Sequence, residues 1–429
     1  MMERWQQMIE NMNTPEAEQQ LMTLYGAGDA LLREQKERYT ALLRKHHEAF
    51  GTKETILLVS APGRTEIGGN HTDHNHGRVL AASVNLDILS AVSPREDDVI
   101  RFHSEGRPPI EMRLNALEPV PEEEGTSRAI IRGVAAGMRE HGYQIGGFDA
   151  VVTSTVAPGS GMSSSAALEV MLSGIWDALY NQFDMPFVLR AQIGQMAENK
   201  FFGKPSGLLD QMASAAGGMV TVDFQDPAHP QVEALPFDFA EKGYALVVVG
   251  TGGSHADLTA DYAAIPKEMK EIASLFGQET LRGISLGQVM EHAGYLRKRT
   301  SDRALLRAIH FIRENDRVPL QVAALKENRM EDFMRLIIDS GRSSFMYLQN
   351  VYARPEKDQS LSLALCMAEA LLSGKGAWRI HGGGFAGTTL NFVPLSDVPS
   401  FVSAMENAFG SGCCHVLNIR PVGAARVIL

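Results

Sequence analysis

The sequence predicts a layered fold of mixed helices and strands with more than one core, and three observations carry that reading. At 429 residues the chain is too long for one ordinary core, so two domains, or one large domain with a substantial lobe, are expected. Its 44% hydrophobic and 21% charged residues are an ordinary globular balance. From Thr55 onward, short β-rich strings alternate with helical periodicity, the pattern of a mixed α/β body.

The first 50 or so residues read as helical. Trp5, Met8, Ile9 and Met12 share one face, and Thr14-Pro15-Glu16 reads as an N-cap followed by proline at the first helical position. This segment offers packing rather than chemistry. Ile56 to Val59 is a strand-sized string, expected to end near Ser60 and to give way to a turn rich in Gly, Arg, Asn, His and Asp. Phe148, Ala150 and Val152 alternate as a strand does, and Leu168, Met171, Leu172, Ile175 and Leu179 then fall on one helical face. Leu189, Ile193, Met196 and Ala197 form the inward face of a helix leading to Glu198. Leu208, Met212 and Ala215 form the buried face of another, which leaves Asp210 off that face.

Around residues 224 to 243 the prolines of Asp226-Pro227, His229-Pro230 and Pro236 mark a loop and a soft domain boundary before a strand at Tyr244 to Val249. Helical periodicity dominates Ser285 to Leu348. A strand at Thr388 to Val393, a helix with Phe401, Met405, Ala408 and Phe409 on one face, and a strand at His415 to Ile419 follow.

Acidic residues outnumber Lys plus Arg by 51 to 40, a formal net charge of -11, which disfavours a broad nucleic-acid or anionic-membrane surface. No apolar run is long enough to span a bilayer, and the first residues lack the continuous apolar stretch of a signal peptide. Cys366, Cys413 and Cys414 form neither a disulfide framework nor a paired metal-ligand spacing, so a soluble protein of the cytoplasm is expected.

Two segments suggest chemistry directly. Pro158-Gly159-Ser160-Gly161-Met162 runs into Ser163-Ser164-Ser165-Ala166-Ala167 at the start of a helix, where loop glycines, small hydroxyl residues and a helix N-terminus suit a polyphosphate. A Ser-capped helix after a turn is the plainer alternative. The stretch from Ala61 to Gly77 suits a hydroxyl-rich ligand. It also reads as a solvated turn, or as a zinc site built from His71, Asp73, His74 and His76.

Taken together, Pro62-Gly63-Arg64, the Asn70-His71-Thr72-Asp73 run, residues 159–169, the segment from Ala197 to Met212 and His381-Gly382-Gly383-Gly384-Phe385-Ala386-Gly387-Thr388 resemble the galactokinases of the GHMP family of small-molecule kinases. His255, Leu258 and Tyr262 fit a further strip of that family's pattern. The resemblance runs from about Arg38 to the last residue. It implies a two-lobed α+β fold, with a helical extension at 1–37, a ribosomal-protein-S5-like lobe binding sugar and ATP at 38–235, and a ferredoxin-like lobe at 236–429, the active site lying between the lobes.

The activity implied is ATP-dependent phosphorylation of the anomeric hydroxyl of a galactose-like sugar, with magnesium. Asp210 would be the base, and Arg64 would stabilise the transferring phosphoryl group and keep Asp210 ionised. ATP would be held by Pro158, Gly159, Ser160, Gly161, Met162, Ser163, Ser164, Ser165 and Ala166, and the metal by Ser165 and Glu198. The sugar would be contacted by Arg64, Asn70, His71, Asp73, Gly207, Asp210 and Tyr262. As isolated residues, Arg64 also reads as a structural ion-pair partner, and Asp210 and Glu198 as surface carboxylates.

The chain departs from the family pattern GRxNLIGEHTDY. It has Glu66 for the Asn, Asn70 for the acidic residue and His74 for the Tyr, and Lys204 stands where an apolar residue is usual. In the family the acidic residue replaced by Asn70 contacts the sugar's C6 hydroxyl. Asn70 therefore raises galacturonate, or another C6-altered sugar, as an alternative substrate. A ligand-sensing regulator without turnover is a rival of another class, disfavoured by the joint presence of Arg64, Ser165, Glu198 and Asp210.

Overall fold

The computed structural model describes residues 2–157, 161–252, 258–352, 358–385 and 387–429. Pro158, Gly159, Ser160, His255 and Ala386 lie outside them.

The chain opens with α1 (Arg4–Asn11), α2 (Pro15–Tyr25) and α3 (Asp29–Phe50). Thr14 caps α2, its hydroxyl oxygen accepting from Ala17 N at 3.3 Å with Pro15 in the first turn. Because α3 is a single unbroken helix, it crosses the boundary expected after residue 37.

The first sheet contains β1 (Leu57–Gly68), β2 (Arg78–Pro94), β3 (Val99–Ser104) and β4 (Ile110–Arg113). After α4 (Ser127–Glu140) come β5 (Phe148–Ser154), α5 (Ser164–Tyr180), α6 (Phe187–Ala197), α7 (Leu209–Ala216), β6 (Met219–Asp223) and β7 (Gln231–Leu235). The second sheet begins with β8 (Tyr244–Gly250). It continues through α8 (Thr259–Leu275), α9 (Leu286–Glu291), α10 (Ala293–Arg297), α11 (Asp302–Lys326), α12 (Met330–Ser343), α13 (Ser360–Leu372), β9 (Ala377–His381), β10 (Thr388–Pro394), α14 (Val398–Phe409) and β11 (Cys414–Leu417), and β12 (Ala425–Val427) closes the order.

The strand period of two decides what lies on each face of the first sheet. Val59, Val92 and Val152 point to the core built with α4 to α7. Their neighbours Leu58, Ala91 and Val151 point to the opposite core, covered by Met8, Leu21, Leu24, Tyr39 and Leu42 of α1 to α3. The sheet thus lies between two helical layers. Its order is β12-β1-β2-β5-β3-β4, with β6 on the first half of β2 and β7 beyond it.

The second sheet, ordered β11-β8-β10-β9, is antiparallel throughout. Its strands follow one another as β-α-β-β-α-β, the ferredoxin-like connectivity. Ile67, Leu80 and Ala82 of the first sheet share a core with Leu246, Val248, Leu390 and Phe392 of the second, so the two lobes meet through packed apolar side chains.

Four expectations change. β1 does not stop near Ser60 but runs to Gly68, because register shifts at Pro62/Arg64 and Glu66/Gly68 absorb proline and glycine without ending the ladder with β2. Arg64 therefore stands on a strand. α5 is buried nearly all round, and Leu168 and Leu179 lie at its more open positions, since the helix is packed between β1 and its neighbours α4, α6 and α7. The loop expected at 224–243 contains β7, which pairs with β6 between Pro230 and Pro236. The last residues do not stay with the second lobe: β12 pairs with β1. Arg420 sits fully buried against Ser60 and Asp87 of the first lobe.

Candidate active site

Arg64 sits at the centre of the site because the bulge in β1 turns its side chain toward the start of α5. Its Nε donates to Asp210 Oδ1 at 2.6 Å, its Nη1 donates to Gly161 O, and its backbone N–H donates to Met162 O at 3.1 Å. Ser163 donates from Oγ to the other oxygen of Asp210 at 2.6 Å. Ser163 stands at the N-cap position of α5 with φ +56, a left-handed conformation that a non-glycine residue holds only where its surroundings enforce it. Gly161 has φ +72, and a Cβ there would fall 2.2 Å from Thr388 Oγ1, so the loop passes that strand only as glycine. Met162 is buried, and Ser164, Ser165 and Ala166 form the first turn of α5, whose free N–H groups favour anions.

Asp210 keeps 28% of its side chain open while Arg64 is nearly enclosed. Burial by itself would raise the Asp210 carboxyl; the Arg64 charge and hydrogen bond, with Ser163, outweigh it and hold the group below its ordinary value. Beside it, Asp73 accepts from His74 N at 3.0 Å and Leu209 N at 3.4 Å. Burial, then the neighbouring Asp210 charge, push Asp73 up to about 6. Gly207 lies against the Asp73 carboxylate, where a Cβ would come within 1.8 Å of Oδ2.

The glycines of 382–384 form the far side. His71 Nε2 donates to Gly383 O at 2.9 Å, the Tyr262 hydroxyl donates to Gly384 O at 2.6 Å, and Gly382 approaches Gly161 O and Arg64. The turn from Gly69 to His71 is held by α11: Glu314 accepts from Gly69 N at 3.1 Å and His310 Nε2 donates to Asn70 O at 2.9 Å.

Asn70 is fully buried. Its amide donates to Glu66 Oε1 at 2.9 Å and Gly382 O at 2.8 Å, and its carbonyl accepts from Ser344 at 3.1 Å and Asn350 at 3.0 Å. All of its hydrogen-bonding positions are taken by protein. The acidic group missing at 70 is present at 66, where Glu66 also pairs with the buried Arg379 at 2.6 Å. Acid and amide have exchanged places across four residues.

Behind the start of α5, Glu198 is 1% exposed, not a surface carboxylate. Its Oε1 accepts from Ser165 Oγ at 3.0 Å and Lys204 Nζ at 2.9 Å; its Oε2 accepts from Ser206 Oγ at 2.6 Å and Gln211 Nε2 at 3.0 Å. Glu169 lies alongside with a buried, unpartnered Oε1, and burial, then the charge of Glu198, raise it well above the carboxylate range. A hydroxyl and a carboxylate next to the N-terminus of α5 are the hard oxygen donors that a magnesium ion takes, so the residues fit that ion. Among the described residues, no three His, Cys, Asp or Glu side chains converge as a metal cluster. Instead, His71 and His74 bond to each other and to backbone and amide groups.

Sequence reasoning assigned no individual role to Ser206, Gln211, Glu314 or His381. Ser206 and Gln211 lie inside the segment from Ala197 to Met212 that carries the resemblance, and that was a visible signal. His381 accepts at Nε2 from Glu66 N at 3.3 Å and from Thr65 Oγ1 at 3.1 Å, holding the strand residues next to Arg64, and that role was not visible in sequence.

Residues 129–218 match the sequence profile of the GHMP kinase N-terminal domain. The fold is that of solved GHMP enzymes, including a mevalonate kinase from Methanococcus jannaschii (TM-score 0.61, 14% identity, 86% of this chain and 99% of that one). Fold and site define a small-molecule kinase, a phosphotransferase with an alcohol acceptor. Residues 44–94 further match the galactokinase galactose-binding signature. The chain is 33% identical to a galactokinase from Streptomyces coelicolor over 86% of this chain and 92% of that one, and 30% identical to the human galactokinase over 89% and 94%. A galactokinase from Lactococcus lactis, solved with galactose, shares the fold with TM-score 0.80 at 24% identity over 90% of this chain and 99% of that one. The chain belongs to the galactokinase family. Among the described residues no helix is long and apolar enough to cross a membrane.

Proposed function

We propose that the protein phosphorylates galactose at its anomeric hydroxyl, using ATP and magnesium and giving α-galactose 1-phosphate and ADP in the cytoplasm. The observation that carries this reading is the joint hold on Asp210: Arg64 on one oxygen and Ser163, the cap of the phosphate-loop helix, on the other. Base and phosphate cradle are thereby fixed to each other. Phosphoryl transfer requires alignment and charge neutralisation more than covalent chemistry.

Asp210 takes the proton of the anomeric hydroxyl through a remaining lone pair as the sugar oxygen bonds to the γ-phosphorus, and the bond from that phosphorus to the ADP oxygen breaks. Arg64 keeps Asp210 ionised and faces the charge that spreads over the transferring group. The loop from 158 to 163 and the first turn of α5 hold the triphosphate. Ser165 and Glu198 hold magnesium, whose contribution when bound is to neutralise phosphate charge. Asp73, backed by Gly207, accepts from sugar hydroxyls; His71, Tyr262 and the glycines 382–384 wall the pocket, with Asn70 setting the wall from behind.

The test is ADP release with galactose, galacturonate, N-acetylgalactosamine, arabinose and glucuronate, repeated with Asp210→Asn. Galactose should turn over and Asp210→Asn should abolish turnover. If every sugar is inert while ATP binds, the reading fails.

A further inference from the structure

Lys204 stands on the carboxylate assigned to the divalent cation. Its Nζ is 2.9 Å from Glu198 Oε1, the same oxygen that accepts from Ser165. The other oxygen of Glu198 is engaged by Ser206 and Gln211, so Oε1 is the one turned toward the phosphate cradle. Glu198 is enclosed and cannot follow a departing partner, whereas the Lys204 side chain is 55% exposed on a flexible stem. A magnesium ion on Oε1 at about 2.1 Å would lie no more than about 5 Å from that ammonium, and two cations at that spacing repel.

We infer that Lys204 is a place-holding cation: it balances Glu198 in the empty site, and the divalent ion enters by displacing it. The need for a counter-ion is local, since Glu198 is 1% exposed and a carboxylate so enclosed has no water to compensate its charge. Nucleotide offers the displaced ammonium another anionic partner. Metal and nucleotide therefore bind more tightly together than the metal ligands alone would require.

This inference rests on the reading of Ser165 and Glu198 as metal ligands, and the experiment separates the two. Manganese binding to the full chain is followed by electron paramagnetic resonance, with and without a non-hydrolysable ATP analogue. The variants are Lys204→Met, Lys204→Gln and Glu198→Gln, with Lys200→Met as a charge control on the same segment. Lys204→Met should bind manganese about threefold to tenfold more tightly than the parent without nucleotide, and should gain less from added nucleotide. Lys200→Met should match the parent. Lys204→Gln gives the same readout should the Met variant fail to fold. Unchanged or weaker manganese binding in the Lys204 variants, with binding abolished by Glu198→Gln, overturns the role of Lys204 alone. Parent-like binding in Glu198→Gln overturns the metal site and this inference with it.

Discussion

Gly207→Ala tests the sugar-binding role proposed for Asp73 without touching a charge. The added Cβ would stand 1.8 Å from Asp73 Oδ2 and 2.2 Å from its Cγ, where ordinary contact begins at 3.4 Å. The carboxylate must retreat by roughly 1.5 Å, since neither atom can be compressed that far. That movement pulls it from His74 N and Leu209 N and from any hydroxyl of the sugar. Hydrogen bonds to a charged acceptor contribute about 1.5–3 kcal/mol, so kcat/KM for galactose should fall about tenfold to a hundredfold, with little change in the KM for ATP. Gly207 is not in the left-handed region, so backbone strain does not confound the result. Steady-state ADP release, with thermal unfolding to confirm the fold, measures the effect. In an Asp73→Ala background the same change should cost nothing further. A well-folded Gly207→Ala enzyme with parental kcat/KM for galactose, or full additivity with Asp73→Ala, would refute the assignment.

Galactose affinity should fall through a midpoint near pH 6, flat well above it, as Asp73 takes a proton and ceases to be a pure acceptor, while Asp210→Asn should move the midpoint down; calorimetric titration across that range measures both. The same raised pKa gives the folded chain a proton that the unfolded chain has released, so Asp73 favours folding at low pH and loses that contribution as pH rises through about 6. Ser163→Gly should relax the positive φ but lose the 2.6 Å bond to Asp210, lowering kcat about tenfold without lowering the urea midpoint. Arg420→Met should cost about 3 kcal/mol in urea unfolding, because it strips one of the two arginines from the buried Asp87 while activity per folded molecule is kept.

The motif segments were legible because each concentrates residue types with specific chemistry, and the structure brings Arg64, Asp73, Gly161, Ser163, Asp210 and the 382–384 glycines together. β5 was equally plain from its alternation and β8 from its unbroken apolar string, and β10 was expected at Thr388 to Val393. What escaped were features that depend on neighbours distant in sequence. The face of α5 could not be read because the helix is enclosed from several sides. The extent of β1 was hidden by Pro62 and Gly63, which signal a turn until β2 supplies the ladder that tolerates them. Asn70 looked like a lost charge because its surroundings were unknown; Glu66 and Arg379, the latter on the other lobe, show where that charge went.

The return of residues 420–427 to the first lobe has a consequence for synthesis. While the chain is being made, β1 has one open edge and Asp87 lacks one of its counter-ions until those residues have been added, although Arg64, Ser163 and Asp210 were made long before. Pairing over such a distance in sequence is slow and leaves strand edges exposed. The nascent chain therefore carries Arg64 and Asp210 on a lobe that is still unsealed, and an early stop late in the message would fail in the lobe made first.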